Sequence, residues 1–176
     1  MLRQSQEKYQ SGLEEGVFAV CITIEKAACE DAAEILQYLK QVGTETDNLT
    51  FGAEGLPFTA ESEAAYISQI QNSCDAIMLV AKENGKIVGD AGLSRSPRRM
   101  NHRGDLGMAV IREYWNKGIG SQLLLAIIHF AKENAFEVID LQVRSDNLSA
   151  IHLYEKFGFK KIGAHPYFFK IGSEEI

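Results

Sequence analysis

The spacing of apolar residues changes period several times along the chain, and each change predicts an element. Residues 17–24 are a β-rich run. From 30 to 42 the period is helical: Ala28, Ala32, Ile35, Leu36 and Leu39 share a face, Glu30 and Asp31 suit the first turn, and Gly43 reads as the stop. Residues 44–58 have no period; Gly52, Gly55 and Pro57 break the chain, and Glu45, Asp47 and Glu54 make it acidic. A connection this long in a compact domain is more often functional than idle. Thr59 can cap a second helix, with Glu61 and Glu63 in its first turn and Tyr66, Ile67 and Ile70 on its buried side. Two strands, 76–80 and 86–93, flank Asn84-Gly85, a strong hairpin signal. The alternating run 105–110 then leads into a helical pattern of Ile119, Leu123, Leu124, Ile127, Phe130 and Ala131. A strand at 137–144, a helix ended by Gly158-Phe159 and a last strand at 167–171 complete the chain.

No repeat, linker or low-complexity tract interrupts this order, so one domain over 17–176 is expected. The polar residues 1–16, with Gly12 and Gly16, read as a lead-in. A chain of 176 residues can bury a substantial core without disulfides or metal.

The chain is organised around the passage from Val110 to Leu124, which reads strand, glycine turn, helix. Glycines let the backbone approach a ligand closely. The free N–H groups and dipole of the following helix then suit an anion such as a phosphate. A Walker A loop is excluded, because no Gly-Lys-Ser/Thr occurs and Lys117 precedes its glycine. A dinucleotide fingerprint lacks its third glycine, since Leu123 stands there, and more than a hundred residues precede it.

Trp115 through Gly120 resembles the Arg/Gln-x-x-Gly-x-Gly/Ala loop of the Gcn5-related N-acetyltransferases, with Trp115 where arginine or glutamine is usual. The stretch from Asn147 to Phe159 resembles that family's second signature, Asn-x-x-Ala-x-x-Leu-Tyr-x-x-x-Gly-Phe, one strand further on. The resemblance implies a mixed α/β fold, with a mostly antiparallel central sheet of about six or seven strands and helices on both faces. It implies acetyl-CoA as acyl donor, held between two splayed strands, and an N-acetyltransferase acting on a primary amine of a small molecule or peptide. Val110, Arg112, Lys117, Gly118, Ile119, Gly120, Ser121 and Asn147 are then the expected cofactor contacts. The backbone N–H of Val110, or of a neighbour, is the candidate oxyanion donor. Tyr154 is the candidate acid for the leaving thiolate. Asp105 is the first candidate base, with Glu45, Glu54 or a chain of waters as alternatives. Glu45, Asp47 and Glu54 are also the expected contacts of a cationic acceptor. A domain of this fold that only binds acyl-CoA, as a sensor or scaffold, is the alternative.

Composition narrows these readings. The net charge of −6 argues against a general nucleic-acid binder. The longest apolar run, 123–130, is interrupted by His129 and too short for a membrane. Cys21, Cys29 and Cys74 lack Cys-x-x-Cys spacing, and no signal peptide is evident, so a cytoplasmic protein with free thiols is expected. His102, His129, His152 and His165 are scattered, which gives no reason to expect a metal. Arg95, Arg98, Arg99 and Arg103 cluster around Pro97, either as a solvated loop or as a ligand site. A homodimer is compatible with the chain.

Overall fold

The computed structural model describes residues 22–168, 170, 171, 174 and 175, so the lead-in 1–16, the first part of the 17–24 run and Cys21 lie outside the described residues. The elements are β1 (Ile22–Lys26), α1 (Ala32–Glu45), α2 (Ala60–Ile70), β2 (Ala76–Glu83), β3 (Lys86–Arg95), β4 (Arg103–Val110), α3 (Ile119–Glu133), β5 (Val138–Asp140), α4 (Leu148–Lys156), β6 (Lys170–Ile171) and β7 (Glu174–Glu175). Strands β1 to β5 form one sheet in chain order, antiparallel except for the parallel pair β4–β5. Strands β6 and β7 pair only with each other. Among the described residues the expected sheet of six or seven strands is thus five strands plus a separate two-stranded ribbon.

Alternation along the strands sorts the two faces of the sheet. A Cβ on Gly89 would meet Leu123 of α3, whereas the side chain of Asp90 meets Tyr38 of α1. Cross-strand register carries that division onto β4: Leu106, Met108 and Val110 share the α3 face, and Asp105, Gly107 and Ala109 share the α1 face. Leu123, Leu124 and Ile127 are fully buried, and on the sheet face toward α3 so are Ala81, Ala91 and Leu93. Each large aliphatic side chain so buried contributes about 1.5–3 kcal/mol. The predicted stripe of α3 is therefore the main seam of the core.

Local chemistry explains most boundaries. Thr59 caps α2, its Oγ1 accepting from Ser62 N at 3.2 Å. Asn84 and Gly85 both take positive φ, 49° and 83°, as a two-residue hairpin turn with right-handed strands requires. Three expectations need correction. Gly43 does not stop α1, which continues to Glu45; a Cβ there would lie 2.0 Å from the carbonyl oxygen of Gly52. The glycine admits the 44–58 connection against the helix rather than ending it. Tyr66 is 40% exposed, so Glu63, Ile67 and Ile70 form the buried side of α2. Strand β5 is three residues long, and residues 141–144 leave the sheet.

Candidate active site

Strands β4 and β5 are paired only through Arg103–Val138, Gly104–Ile139 and Asp105–Asp140, and they part beyond. Arg103 fastens the closed end, its Nε and Nη2 donating to the two oxygens of Asp140 at 2.7 and 2.6 Å. This answers one reading of the sequence: Arg103, ion-paired to Asp140, is not a free ligand group. Arg95 is likewise engaged, donating to Asp75, Asn101 and Asn134 and lying over the Phe136 ring.

At the open end, Ile111 N donates to Val88 O at 3.0 Å. That bond makes Gly89–Val110 a non-hydrogen-bonded pair, so the N–H and C=O of Val110, and of Met108 two residues back, turn away from β3. They face the gap left by β5. The carbonyl of Val110 is taken by Trp115, whose Nε1 donates to it at 2.7 Å. The Val110 N–H stays available.

The turn into α3 bends through Asn116 and Gly118, both left-handed at φ 60° and 80°. Gly118 is the N-cap, and its carbonyl accepts from Gln122 N. The amides of Lys117, Gly118, Ile119, Gly120 and Ser121 bond to nothing among the described residues, and no acidic side chain stands in the first turn. Arg112 lies over the Trp115 ring at 5.5 Å and Lys117 over the Tyr114 ring at 4.7 Å, so two cations flank the turn. Gly120 has a different use from Gly118. A Cβ there would lie 3.1 Å from Leu153 of α4 and 3.5 Å from Met108, so the close approach it permits is between helices.

That contact brings α4 to the gap. Asn147 caps α4, its Oδ1 accepting from Ala150 N at 3.2 Å, which leaves its amide NH₂ unused. Tyr154 packs against Phe159 with ring centroids 5.7 Å apart, and its hydroxyl has no hydrogen-bond partner among the described residues. Burial pushes its phenol up to about 12.

The acids predicted from the sequence are distributed differently from expectation. Glu45 accepts from Arg112 N at 2.7 Å, and the carbonyl of Asp47 accepts from Arg144 at 3.2 Å. The 44–58 connection is thereby tied to the chain beyond β4 and beyond β5. Glu54 folds back onto Gly52 N at 2.9 Å, and those backbone hydrogen bonds lower its pKa. Asp105 is exposed, accepts from Ser96 Oγ at 3.0 Å, and sits at the closed end of the splay. Five strand residues, roughly 16 Å, separate it from Val110, so a base there acts only through waters.

Sequence reading missed Tyr38, Glu63 and Asp90. Tyr38 is 3% exposed, and its hydroxyl lies 2.9 Å from Asp90 Oδ1 and 2.8 Å from the Ala109 carbonyl oxygen, two acceptors that share its single proton. Its pKa is raised well above the ordinary phenol value by burial and by the charge of Asp90. Asp90 stands beside Ala109, one residue from the free Val110 N–H. Burial pushes its carboxyl up to about 6, against the pull of the Tyr38 hydrogen bond, and the charge of Glu63 adds to the rise. Glu63 is 5% exposed, makes no side-chain hydrogen bond among the described residues, and is itself raised by burial. The signals existed: Glu63 lies on the stripe of Ile67 and Ile70, and Asp90 interrupts the apolar centre of β3.

Among the described residues no helix is long and apolar enough to cross a membrane, and no three His, Cys, Asp or Glu are grouped to hold a metal. Residues 32–159 match the profile of the Acetyltransferase (GNAT) family. A GNAT-family acetyltransferase structure from Streptococcus pneumoniae is 33% identical, with TM-score 0.81, covering 85% of this chain and 91% of that one. A putative acetyltransferase from Salmonella typhimurium, solved with acetyl-CoA, shares the fold at TM-score 0.76 and 22% identity, with 88% of each chain covered. The N-alpha-acetyltransferase RimI of Mycobacterium tuberculosis is 31% identical over 96 residues, 54% of this chain and 59% of its own length. The match thus spans little more than half of that relative.

Proposed function

The chain belongs to the GNAT acetyltransferase family, and from that premise we propose that it moves an acetyl group from acetyl-CoA to a primary amine by direct attack. The observation that carries this reading is the row of unpaired amides from Lys117 to Ser121 beside the open edge of β4. Five free donors, the positive end of a fifteen-residue helix and no acid in the first turn fit a pyrophosphate. The exposed backbone of Met108 and Val110 fits the amides of a pantetheine arm, as an added strand would. Two relatives carry the name N-alpha-acetyltransferase, which supports a peptide α-amine among the acceptors.

Acetyl-CoA supplies an acetyl group activated as a thioester. The Val110 N–H would donate to the oxygen that becomes an oxyanion. The transfer forms one C–N bond and breaks one C–S bond, whose electron pair stays on sulfur. Of the two protons an ammonium acceptor loses, one reaches sulfur and the other leaves through a base. Tyr154 would donate to the departing sulfur. With its pKa near 12 the phenol is protonated at every working pH, and a thiol titrates near ~8.5. Full proton transfer from phenol to thiolate is therefore uphill, so Tyr154 acts chiefly as a hydrogen-bond donor to developing charge.

Acetyl-CoA should raise the melting temperature far more than NAD or ATP, with about 2.7 kcal/mol of stabilisation at a hundredfold excess over Kd. A larger shift with NAD would overturn the cofactor assignment. Tyr154→Phe keeps the ring and its packing, so stability should change by about 1 kcal/mol or less. Its kcat at saturating acetyl-CoA should fall roughly 10²-fold. Turnover within about twofold of the parent would remove the donor role and favour a domain that only binds acyl-CoA.

A further inference from the structure

Several carboxylates near the sheet have a cation beside them. Lys82 meets Glu25 and Asp31 at 2.7 and 2.8 Å, Arg103 meets Asp140, and Arg95 meets Asp75. Asp90 and Glu63 differ. They come from β3 and α2, the charge of Glu63 adds to the rise of the Asp90 carboxyl, and neither has a cationic partner among the described residues. Tyr38, from α1, holds one oxygen of Asp90 and the carbonyl of its neighbour Ala109. A buried carboxylate, Glu63, and a half-buried one, Asp90, without a cation cost free energy unless something positive joins them.

Beside them the same sheet face is bare. Gly92 and Gly107 are cross-strand partners, so no side chain rises from either. A Cβ on Gly107 would touch nothing within 4 Å, and one on Gly92 only a carbonyl oxygen at 3.8 Å. This glycine floor runs from Asp90 and Ala109 to Ser94 and Asp105, four cross-strand pairs further along. Its length is about 13 Å, four residues at the rise of a strand.

We infer that Asp90 and Glu63 receive the acceptor as an aliphatic primary ammonium whose slender chain lies along the Gly92–Gly107 floor, and that Asp90 takes the proton that frees the nitrogen. The inference rests on the acetyltransferase reading above. The ammonium proton passes to an Asp90 oxygen, leaving a lone pair on nitrogen to form the C–N bond. Asp90 later returns that proton to water, so no other reactant is needed. Tyr38 is a positioning residue: it fixes the Asp90 carboxylate and the Ala109 peptide with one hydroxyl. Glu63 is the second anion that holds the ammonium in place. The groups facing Asp90 are Tyr38 and, through Tyr38, Glu45 from α1, Glu63 from α2 and the Ala109 peptide from β4. All are neutral or anionic. This relocates the cation site from Glu45, Asp47 and Glu54 to residues at the level of the free Val110 N–H.

The test uses the whole chain with acetyl-CoA and three probe amines, 1,4-diaminobutane, methylamine and aniline, following free thiol. The two alkylamines, cationic at pH 7, should be acetylated at least tenfold faster than aniline, which is neutral there. Glu63→Gln should raise KM for 1,4-diaminobutane about tenfold with kcat within threefold. Asp90→Asn should lower kcat about 10²-fold and remove the acidic limb of the kcat/KM profile near pH 6, and Asp90→Glu should recover part of the rate. The melting shift with acetyl-CoA should be unchanged in all three variants, which shows them folded. Absence of that shift in the parent chain overturns the acetyltransferase reading itself. If the shift is present but the alkylamines are no better than aniline, or both neutralised variants match the parent, the acceptor assignment is wrong and the cofactor reading stands.

Discussion

The first turn of α3 and the carboxylate pair on the α1 face serve the same strands with opposite charge logic. At the helix end, unpaired N–H groups gather around a turn with no acid in it. Asp90 on the α1 face and Glu63 from α2 have no cationic partner among the described residues. Each arrangement is unfavourable alone, because buried or ordered partial charge of one sign lacks its counterpart. Together they fit the proposed reading, in which an anionic donor meets a cationic acceptor. The ion pair of Arg103 with Asp140, between the closed ends of β4 and β5, is the internal control. There the protein neutralises its own charge, and the strands stay joined.

The sharpest way to break this comparison is to give the helix end a charge of the wrong sign. Ser121→Glu places a carboxylate in the first turn of α3, where the helix dipole favours it by about 0.3–1 kcal/mol. The fold should therefore be unharmed. A pyrophosphate competing for the same amides would meet a like charge. At an effective dielectric near ~20 this costs up to about 4 kcal/mol at contact, so CoA affinity should fall about 10²- to 10³-fold. Calorimetric titration with CoA reads the loss. An unchanged Kd would move the anion site elsewhere. Gly120→Asp is the poorer choice, since its side chain would strike Leu153 and confound folding with binding.

The carboxylate end should show itself in stability without any ligand. Asp90 has its pKa raised to about 6, against 3.8 for an unhindered aspartate. The folded chain thus holds a proton that the unfolded chain has already released between those values. Stability contributed by this group is greatest below the unfolded pKa and is lost as pH rises through the folded one. The cost at neutral pH is on the order of 2–3 kcal/mol. Asp90→Asn accepts the Tyr38 hydroxyl as the carboxylate does but cannot ionise. Relative to the parent, the variant should gain stability between pH 4 and 7, by roughly 1–3 kcal/mol once other groups relax. Denaturant unfolding at both ends of that range checks it. Parallel pH dependences for the two proteins would mean that Asp90 is better solvated than its surroundings imply.

The two ends were not equally legible in the sequence. Backbone amides bind an anion by conformation, so the helix end leaves a local trace: glycines at fixed spacing, then a helical stripe from Ile119 to Ala131. The proposed acceptor end draws on side chains from positions 38, 63 and 90, which no short pattern links. Tertiary packing alone brings them together. Even so, an acid on the apolar stripe of α2 and another at the centre of β3 contradicted their local patterns, and such conflicts often mark function. Gly43 misled for a related reason. Glycine after a helical run suits a stop, but here the missing Cβ serves the carbonyl of Gly52, far along the chain. The length of β5 could not be read either, since 141–144 keep a strand-like alternation while leaving the sheet.

The smallest expected effect concerns Trp115, which stands at the junction of the two ends. Its indole N–H occupies the carbonyl of Val110, the same residue whose N–H faces the gap. The ring is 43% exposed and lies under the Arg112 guanidinium. Two roles are separable by a pair of substitutions. If the indole matters as a cap that steadies the Val110 peptide, Trp115→Phe and Trp115→Leu both lose the donor and should behave alike. Each should cost less than about 1 kcal/mol of stability, because the freed carbonyl finds water. Each should lower kcat about threefold through a looser oxyanion donor, with KM for acetyl-CoA nearly constant. If instead the ring face supports the cofactor, Trp115→Phe should keep KM near the parent value while Trp115→Leu raises it severalfold. Steady-state kinetics on the two variants decides between them. We expect the matched pair, since a cap at 2.7 Å is a specific use of the indole nitrogen that the usual arginine or glutamine would meet with its own N–H donors.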